Sequence, residues 1–342
     1  MMTMKWQWLS IALAVTLTAC QFHPDVKIDN DWGIYKSRFI SEEGRIVDTG
    51  NNNISHSEGQ GYGLLLALRM NDEDLFKKIW QWTKANLQVR KDSLFIWRRR
   101  PATAIADEDK NNATDGDIII AWALLEASKN WKQTDYENEA IKILTDIKQK
   151  MIFQKNGLDM ILPGENGFQF PESTIISLSY WVYPAFKIFS EFDNDPVWGK
   201  LTASGQTLMQ KARFGRWQLP PDWLEIKNDE SMTPAKSKQF GYDAVRVPLY
   251  SLLGGINQEL LSPFAKYWSF YQGYTPSWIA VEENIMDSYG ASNGIKAIKE
   301  VTLLALKNTD SVNFVTIEND QDYYSATLVL LSKLAYQQLA DK

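Results

Sequence analysis

From about residue 30 to the C-terminus, one pattern repeats: apolar residues spaced three and four apart, run after run. Residues 72–87 show it in Leu75, Phe76, Ile79, Trp80, Thr83 and Leu87, with Asn71 as a candidate N-cap. Asp72, Glu73 and Asp74 then suit the positive end of that helix. Residues 117–129 repeat the habit with Ile118, Trp122 and Leu125, and Lys129 lies near the end. Similar stretches fall near 32–40, 59–69, 136–150, 174–191, 196–212, 242–253, 258–271, 291–307 and 322–339. Pro196 marks a start, because proline is tolerated in the first helical turn. Extended signals are confined to Ile161-Leu162-Pro163 and Phe168-Gln169-Phe170. No β-α alternation, internal repeat or Gly/Ser/Pro-rich linker interrupts the series. One all-α domain over residues 30–342 is the simplest reading. The helix count fits a closed double ring of helices, although periodicity alone does not separate that from an open solenoid.

Composition narrows the chemistry. The net charge of −6 and the lack of a long basic run argue against a nucleic-acid partner; Arg98-Arg99-Arg100 is too short to change this. The chain has two histidines, His23 and His56, and one cysteine, Cys20. That inventory assembles no Cys/His zinc cluster and no internal disulfide. No Gly-x-Ser-x-Gly elbow is present either. Chemistry in this chain therefore falls to carboxylates, with no metal or organic cofactor expected. The 14 Trp, 14 Tyr and 15 Phe are many. Most serve packing, but some are available to stack on the C–H faces of sugar rings.

The first twenty residues read as an export signal. Lys5 precedes an apolar core over residues 9–17 that is too short to span a bilayer. It ends in Leu17-Thr18-Ala19-Cys20, which resembles a bacterial lipobox. The resemblance implies a lipidated Cys20 as the first mature residue, followed by a tether over 21–29. Gln21 then implies outer-membrane sorting facing the periplasm. A soluble periplasmic or secreted form is the alternative. Contact with a membrane would run only through the lipid.

Three carboxylates stand before apolar helices. Glu58 lies in Ser57-Glu58-Gly59-Gln60-Gly61-Tyr62-Gly63, where glycines allow close approach of a ligand. Asp115 lies in Ala113-Thr114-Asp115-Gly116-Asp117, and Asp243 in Tyr242-Asp243-Ala244-Val245-Arg246. Each has a plainer role open to it. Thr114, Asp115 and Asp117 suit helix caps, and Asp243 with Arg246 suits a helix ion pair. Neither role requires three glycines in five positions around Glu58. Two carboxylates flanking a glycosidic bond are what glycoside hydrolysis needs: one protonates the leaving oxygen, and the other activates water or attacks carbon.

At these residues the chain resembles glycoside hydrolase family 8, with Ser179-Tyr180 as a fourth matching piece in the family order. The resemblance spans about residues 32–339. It implies an (α/α)6 barrel, six inner and six outer helices. It implies Glu58 as general acid, Asp243 as the base that activates water with inversion, and Asp115 as a carboxylate that binds the distorted sugar. Arg246 would hold Asp243 or a nearby hydroxyl; Trp97 and Tyr180 would contact sugar. The implied activity is endo-cleavage of β-1,4-glucan (cellulose) or a related bacterial exopolysaccharide, with exopolysaccharide synthesis or export machinery as a possible neighbour. Two alternatives stay open. The same fold could act on xylan, chitosan or an amino-sugar polymer, or the chain could be a non-catalytic polysaccharide-binding lipoprotein.

Overall fold

The computed structural model describes residues 28–271, 273–307, 309, 312, 314, 316–318 and 321–340. The export signal, Cys20 and the tether as far as residue 27 lie outside the described residues. Residues 28 and 29, expected to end the tether, instead open the first helix.

Among the described residues there are eleven α-helices: α1 (Ile28–Phe39), α2 (Ser57–Arg69), α3 (Glu73–Asn86), α4 (Thr114–Trp131), α5 (Thr134–Lys150), α6 (Tyr183–Phe192), α7 (Val197–Lys211), α8 (Arg246–Leu253), α9 (Ser262–Phe270), α10 (Asn293–Ala305) and α11 (Tyr323–Ala340). They form two layers, and the sequence shows why. Helices α2, α4, α8 and α11 are apolar nearly all round and buried on nearly every face. Helices α3 and α5 bury one stripe and present a charged face to solvent. Each packs against an inner neighbour, α3 on α2 and α5 on α4. The core is continuous across both layers. At one seam α1 docks on α11, where Lys333 meets Asp31 in a buried ion pair. No helix among the described residues is long and apolar enough to cross a membrane.

Several boundaries differ from the sequence expectation for local reasons. Asp72, not Asn71, caps α3 by accepting from the Leu75 amide at 3.3 Å; Asn71 takes a left-handed conformation. The stretch 174–191 is not one helix. It begins as strand β5 (Ser173–Ile176), turns through a 3-10 segment at Leu178–Tyr180, and becomes helical only at Tyr183. That strand pairs with β6 (Trp223–Lys227), which pairs with β7 (Met232–Ala235), giving an antiparallel three-stranded sheet beside the barrel mouth. The remaining strands are short antiparallel pairs: β1 (Ser55–His56) with β2 (Arg98–Arg99), β3 (Ile152–Lys155) with β4 (Leu158–Ile161), and β8 (Gln239–Phe240) with β9 (Ile279–Ala280).

Candidate active site

Three inner helices begin at the same end of the barrel and aim their N-termini at one cleft. Glu58 sits in the first turn of α2, Asp115 in the first turn of α4, and Arg246 opens α8. Asp243, expected inside a helix over 242–253, lies three residues before α8 in a turn that leaves its carboxylate free to face the cleft. The positive ends of three helix dipoles converge there, which favours negative charge.

The glycines around Glu58 have a different purpose from the one their sequence suggested. A Cβ on Gly61 would lie 2.9 Å from Ile119 Cγ2, and one on Gly63 would lie 2.8 Å from Ile46 Cγ1. A Cβ on Gly116 of α4 would lie 2.6 Å from the Glu58 amide and would overlap Ser57 Oγ. These glycines admit the neighbouring chain, not a ligand. They let α2 and α4 approach closely enough to put Glu58 and Asp115 side by side.

All six expected site residues line one open cavity of about 350 Å³: Glu58, Trp97, Asp115, Tyr180, Asp243 and Arg246. At its centre is the Arg246 guanidinium, only 3 % exposed. Its Nη1 contacts Glu58 Oε1 closely and lies 3.2 Å from Asp115 Oδ2. Its Nη2 lies 2.8 Å from Asp243 Oδ1 and donates to Ser179 Oγ at 3.3 Å. One planar fork thus touches all three carboxylates. Because the two terminal nitrogens of a guanidinium stand only about 2.3 Å apart, Glu58 Oε1 and Asp243 Oδ1 lie within about 8 Å of each other.

The two oxygens of Glu58 are unequal. Oε1 takes the Arg246 contact and accepts from Tyr62 Oη at 3.2 Å, and Tyr62 is in turn hydrogen-bonded to Tyr250. Oε2 lies 3.9 Å from His56 Nδ1. Burial, with the negative charges of Asp222 and Asp115, pushes Asp243 up to about 8. Burial raises Asp115 to about 6. Asp222 is also raised by burial, to about 6, although it accepts from the amides of Gly241 at 2.9 Å and Ala244 at 2.8 Å. Asp115, Asp222 and Asp243 thus all sit above the usual carboxylate range, although Arg246 pairs with two of them.

Trp97 and Tyr180 both face the cavity. Trp97 donates from its indole nitrogen to Asp109 Oδ2 at 2.9 Å and carries Arg98 over its ring. Tyr180 packs on Trp223, with ring centroids 6.2 Å apart, and Trp223 helps offset the upward shift of Asp243. Sequence reasoning missed Asp48, Tyr242, Trp223, Asp222 and Tyr324. Asp222 and Trp223 follow Pro220-Pro221, a break with no chemical signature, and their partner Asp243 is about twenty residues away. Among the described residues no group of three or more His, Cys, Asp or Glu side chains is placed to hold a metal ion.

The glycosyl hydrolases family 8 model matches residues 1–338. The chain belongs to glycosyl hydrolase family 8. An endoglucanase of Cellulomonas uda is 37 % identical over 297 residues, covering 86 % of this chain and 82 % of that one. A probable endoglucanase of Novacetimonas hansenii is 36 % identical, covering 91 % of each. The crystal structure of a family 8 endoglucanase from Klebsiella pneumoniae superposes with a TM-score of 0.86 at 36 % identity, covering 91 % of this chain and all of that one. The double ring is therefore the family 8 (α/α)6 barrel, and this family 8 protein is a glycoside hydrolase.

Proposed function

We propose that the protein is an endo-β-1,4-glucanase that cleaves with inversion, Glu58 acting as acid and Asp243 as base. The observation that carries this is the pair of carboxylates held on the two arms of Arg246 in one open cleft. The upper limit of about 8 Å admits the lower part of the roughly 6.5–9.5 Å spacing of inverting enzymes as well as the shorter spacing of retaining ones, so inversion rests on the family resemblance and is tested by product stereochemistry. The names of the relatives support the glucan.

Arg246 and Tyr62 occupy Glu58 Oε1, so the transferable proton resides on Oε2. That oxygen faces the glycosidic oxygen and protonates it as the C–O bond breaks. Asp243, once ionised, takes a proton from the attacking water on the far side of the sugar ring, with Arg246 fixing its carboxylate. Asp115, clamped by Arg246 and by the Gly116 amide at 2.8 Å, receives a hydroxyl of the distorted ring. Trp97 and Tyr180 supply flat surfaces for adjoining sugars. The polymer is a plain β-1,4-glucan or a related bacterial exopolysaccharide, and Cys20 anchors the enzyme to the outer membrane beside the machinery that exports it.

Glu58→Gln and Asp243→Asn should each lower kcat on soluble cellulose by about 100- to 10,000-fold with the fold intact. Proton NMR of early products should show the α-anomer first. Viscosity should fall faster than reducing ends appear. Full activity in either variant would remove the assigned role, and faster cleavage of xylan or chitosan in a parallel panel would move the substrate. Mass analysis of the mature N-terminus, with Cys20→Ala as control, tests the anchor.

A further inference from the structure

The acid needs a proton on Glu58 Oε2, yet His56 Nδ1 stands 3.9 Å from that oxygen. An imidazole N–H there would donate to Oε2 and hold Glu58 as a carboxylate. Two contacts prevent this. The Gly59 amide donates to His56 Nδ1 at 3.0 Å, so that nitrogen is an acceptor carrying a lone pair. His56 Nε2 lies 3.3 Å from Asp48 Oδ2, which takes the ring's single N–H. The same ring is the N-cap of α2. Both side chains are mostly buried, with 13 % and 14 % of their surfaces exposed. Asp48 is independently fixed, because its Oδ1 accepts the Gly50 amide at 3.0 Å.

We propose that Asp48 and His56 form a positioning pair that locks the imidazole in its Nε2–H form and so withholds a donor from Glu58 Oε2. The proton of the acid is then kept on the oxygen that faces the sugar. This rests on Glu58 being the acid. The groups facing His56 come from every side. Asp48 lies in the loop before β1, Glu58 on α2, and Asp115, which lines the same cavity, on α4. Tyr323 of α11 packs edge-on at 5.6 Å, and Arg98 stands opposite His56 in the β1–β2 ladder. Arg98 turns over the Trp97 ring, and Arg246 is engaged by Glu58 Oε1.

The test is a double-mutant cycle read on the pH profile of kcat. In Asp48→Asn the carboxylate that holds Nε2–H is gone, so only the Gly59 amide opposes the other tautomer, and a fraction of the rings presents Nδ1–H to Glu58. The alkaline limb should move to lower pH by about one unit, roughly tenfold in rate on that limb. His56→Asn keeps a side-chain oxygen able to cap the Gly59 amide. Its melting temperature should stay near that of the parent and, with no imidazole N–H to present, its alkaline limb should stay near the parent's as well. With the imidazole absent, adding Asp48→Asn to His56→Asn should move the limb no further. Equal shifts from Asp48→Asn with and without His56 would mean that Asp48 acts by charge alone, and the proposal would fall. An unshifted profile in Asp48→Asn would also overturn it. Retained activity in Glu58→Gln would instead strike the assignment of the acid, a separate outcome.

Discussion

At the residue scale, the site is governed by a shortage of positive charge. Arg246 forms the ion pairs with Glu58, Asp115 and Asp243, Lys236 over the Trp223 ring acts on Asp243 from farther off, and Asp222 stands behind Asp243. Asp222 is tied by two backbone amides that shape the turn carrying Asp243, so its charge is held in place. Replacing it with asparagine keeps an oxygen for both amides and removes the charge. Asp243 should then ionise more readily, because a neighbouring anion no longer opposes it. The acid limb of kcat should move to lower pH, by on the order of one unit. A limb that stays put, or moves upward, would show that Asp222 does not reach the proposed base electrostatically. Of these residues, Glu58, Asp115, Asp243 and Arg246 were legible in the sequence because each precedes an apolar helix in a compact motif. Asp222, Trp223 and Asp48 were not. Their meaning comes from what lies against them after folding, and nothing in their own neighbourhood encodes that.

At the element scale, catalysis depends on how closely two helices meet. The Cβ missing from Gly116 would press on the Glu58 amide and Ser57, which are the first turn of α2 and cannot swing aside. Gly116→Ala should therefore cost about 3 kcal/mol and lower kcat further by moving Glu58 away from Arg246. Gly63→Ala meets the end of the Ile46 side chain, which can change rotamer, and should cost under about 1.5 kcal/mol with kcat near the parent value. Urea unfolding and initial rates on both variants check the contrast; equal effects would count against the close-approach argument. The helices themselves were readable from apolar spacing, since α3, α5 and α7 each show one buried stripe. The run 174–191 misled because Ile175, Ile176 and Leu178 mimic helical spacing. The backbone of Ile175 and Ile176 instead pairs with β6, some fifty residues on, and local spacing cannot signal such a pairing.

For the whole molecule, the buried carboxyls set how stability varies with pH. Burial raises Asp115 and Asp222 to about 6, Asp117 to about 7 and Asp243 to about 8. In the unfolded chain each releases its proton near pH 4. Their contribution is complete below that pH and is lost as pH rises through 6 to 8, at about 1.4 kcal/mol per pH unit for each proton difference. Other carboxylates act in the opposite sense. Burial would raise Asp92 and Glu108, but Arg90 with Lys150, and Arg100 with Arg99, hold them below the usual range. Their stabilisation is present above about pH 4 and is lost as pH falls further. The melting temperature should therefore peak in mildly acidic buffer, between about pH 4 and 6, and decline towards both sides. Asp117 separates this effect from catalysis. It is fully buried, accepts from the Phe95 amide at 2.9 Å and from Asn112 at 2.8 Å, and does not line the cleft. Asp117→Asn cannot ionise, so its melting temperature should fall less steeply between pH 5 and 8 than that of the parent, even if it starts lower through the disturbed Asn112 contact. Thermal unfolding scans across pH 4–9 measure both slopes. A parent curve that rises from pH 5 to 8, or parallel curves for the two proteins, would mean that the buried carboxyls are compensated by groups other than those that surround them here.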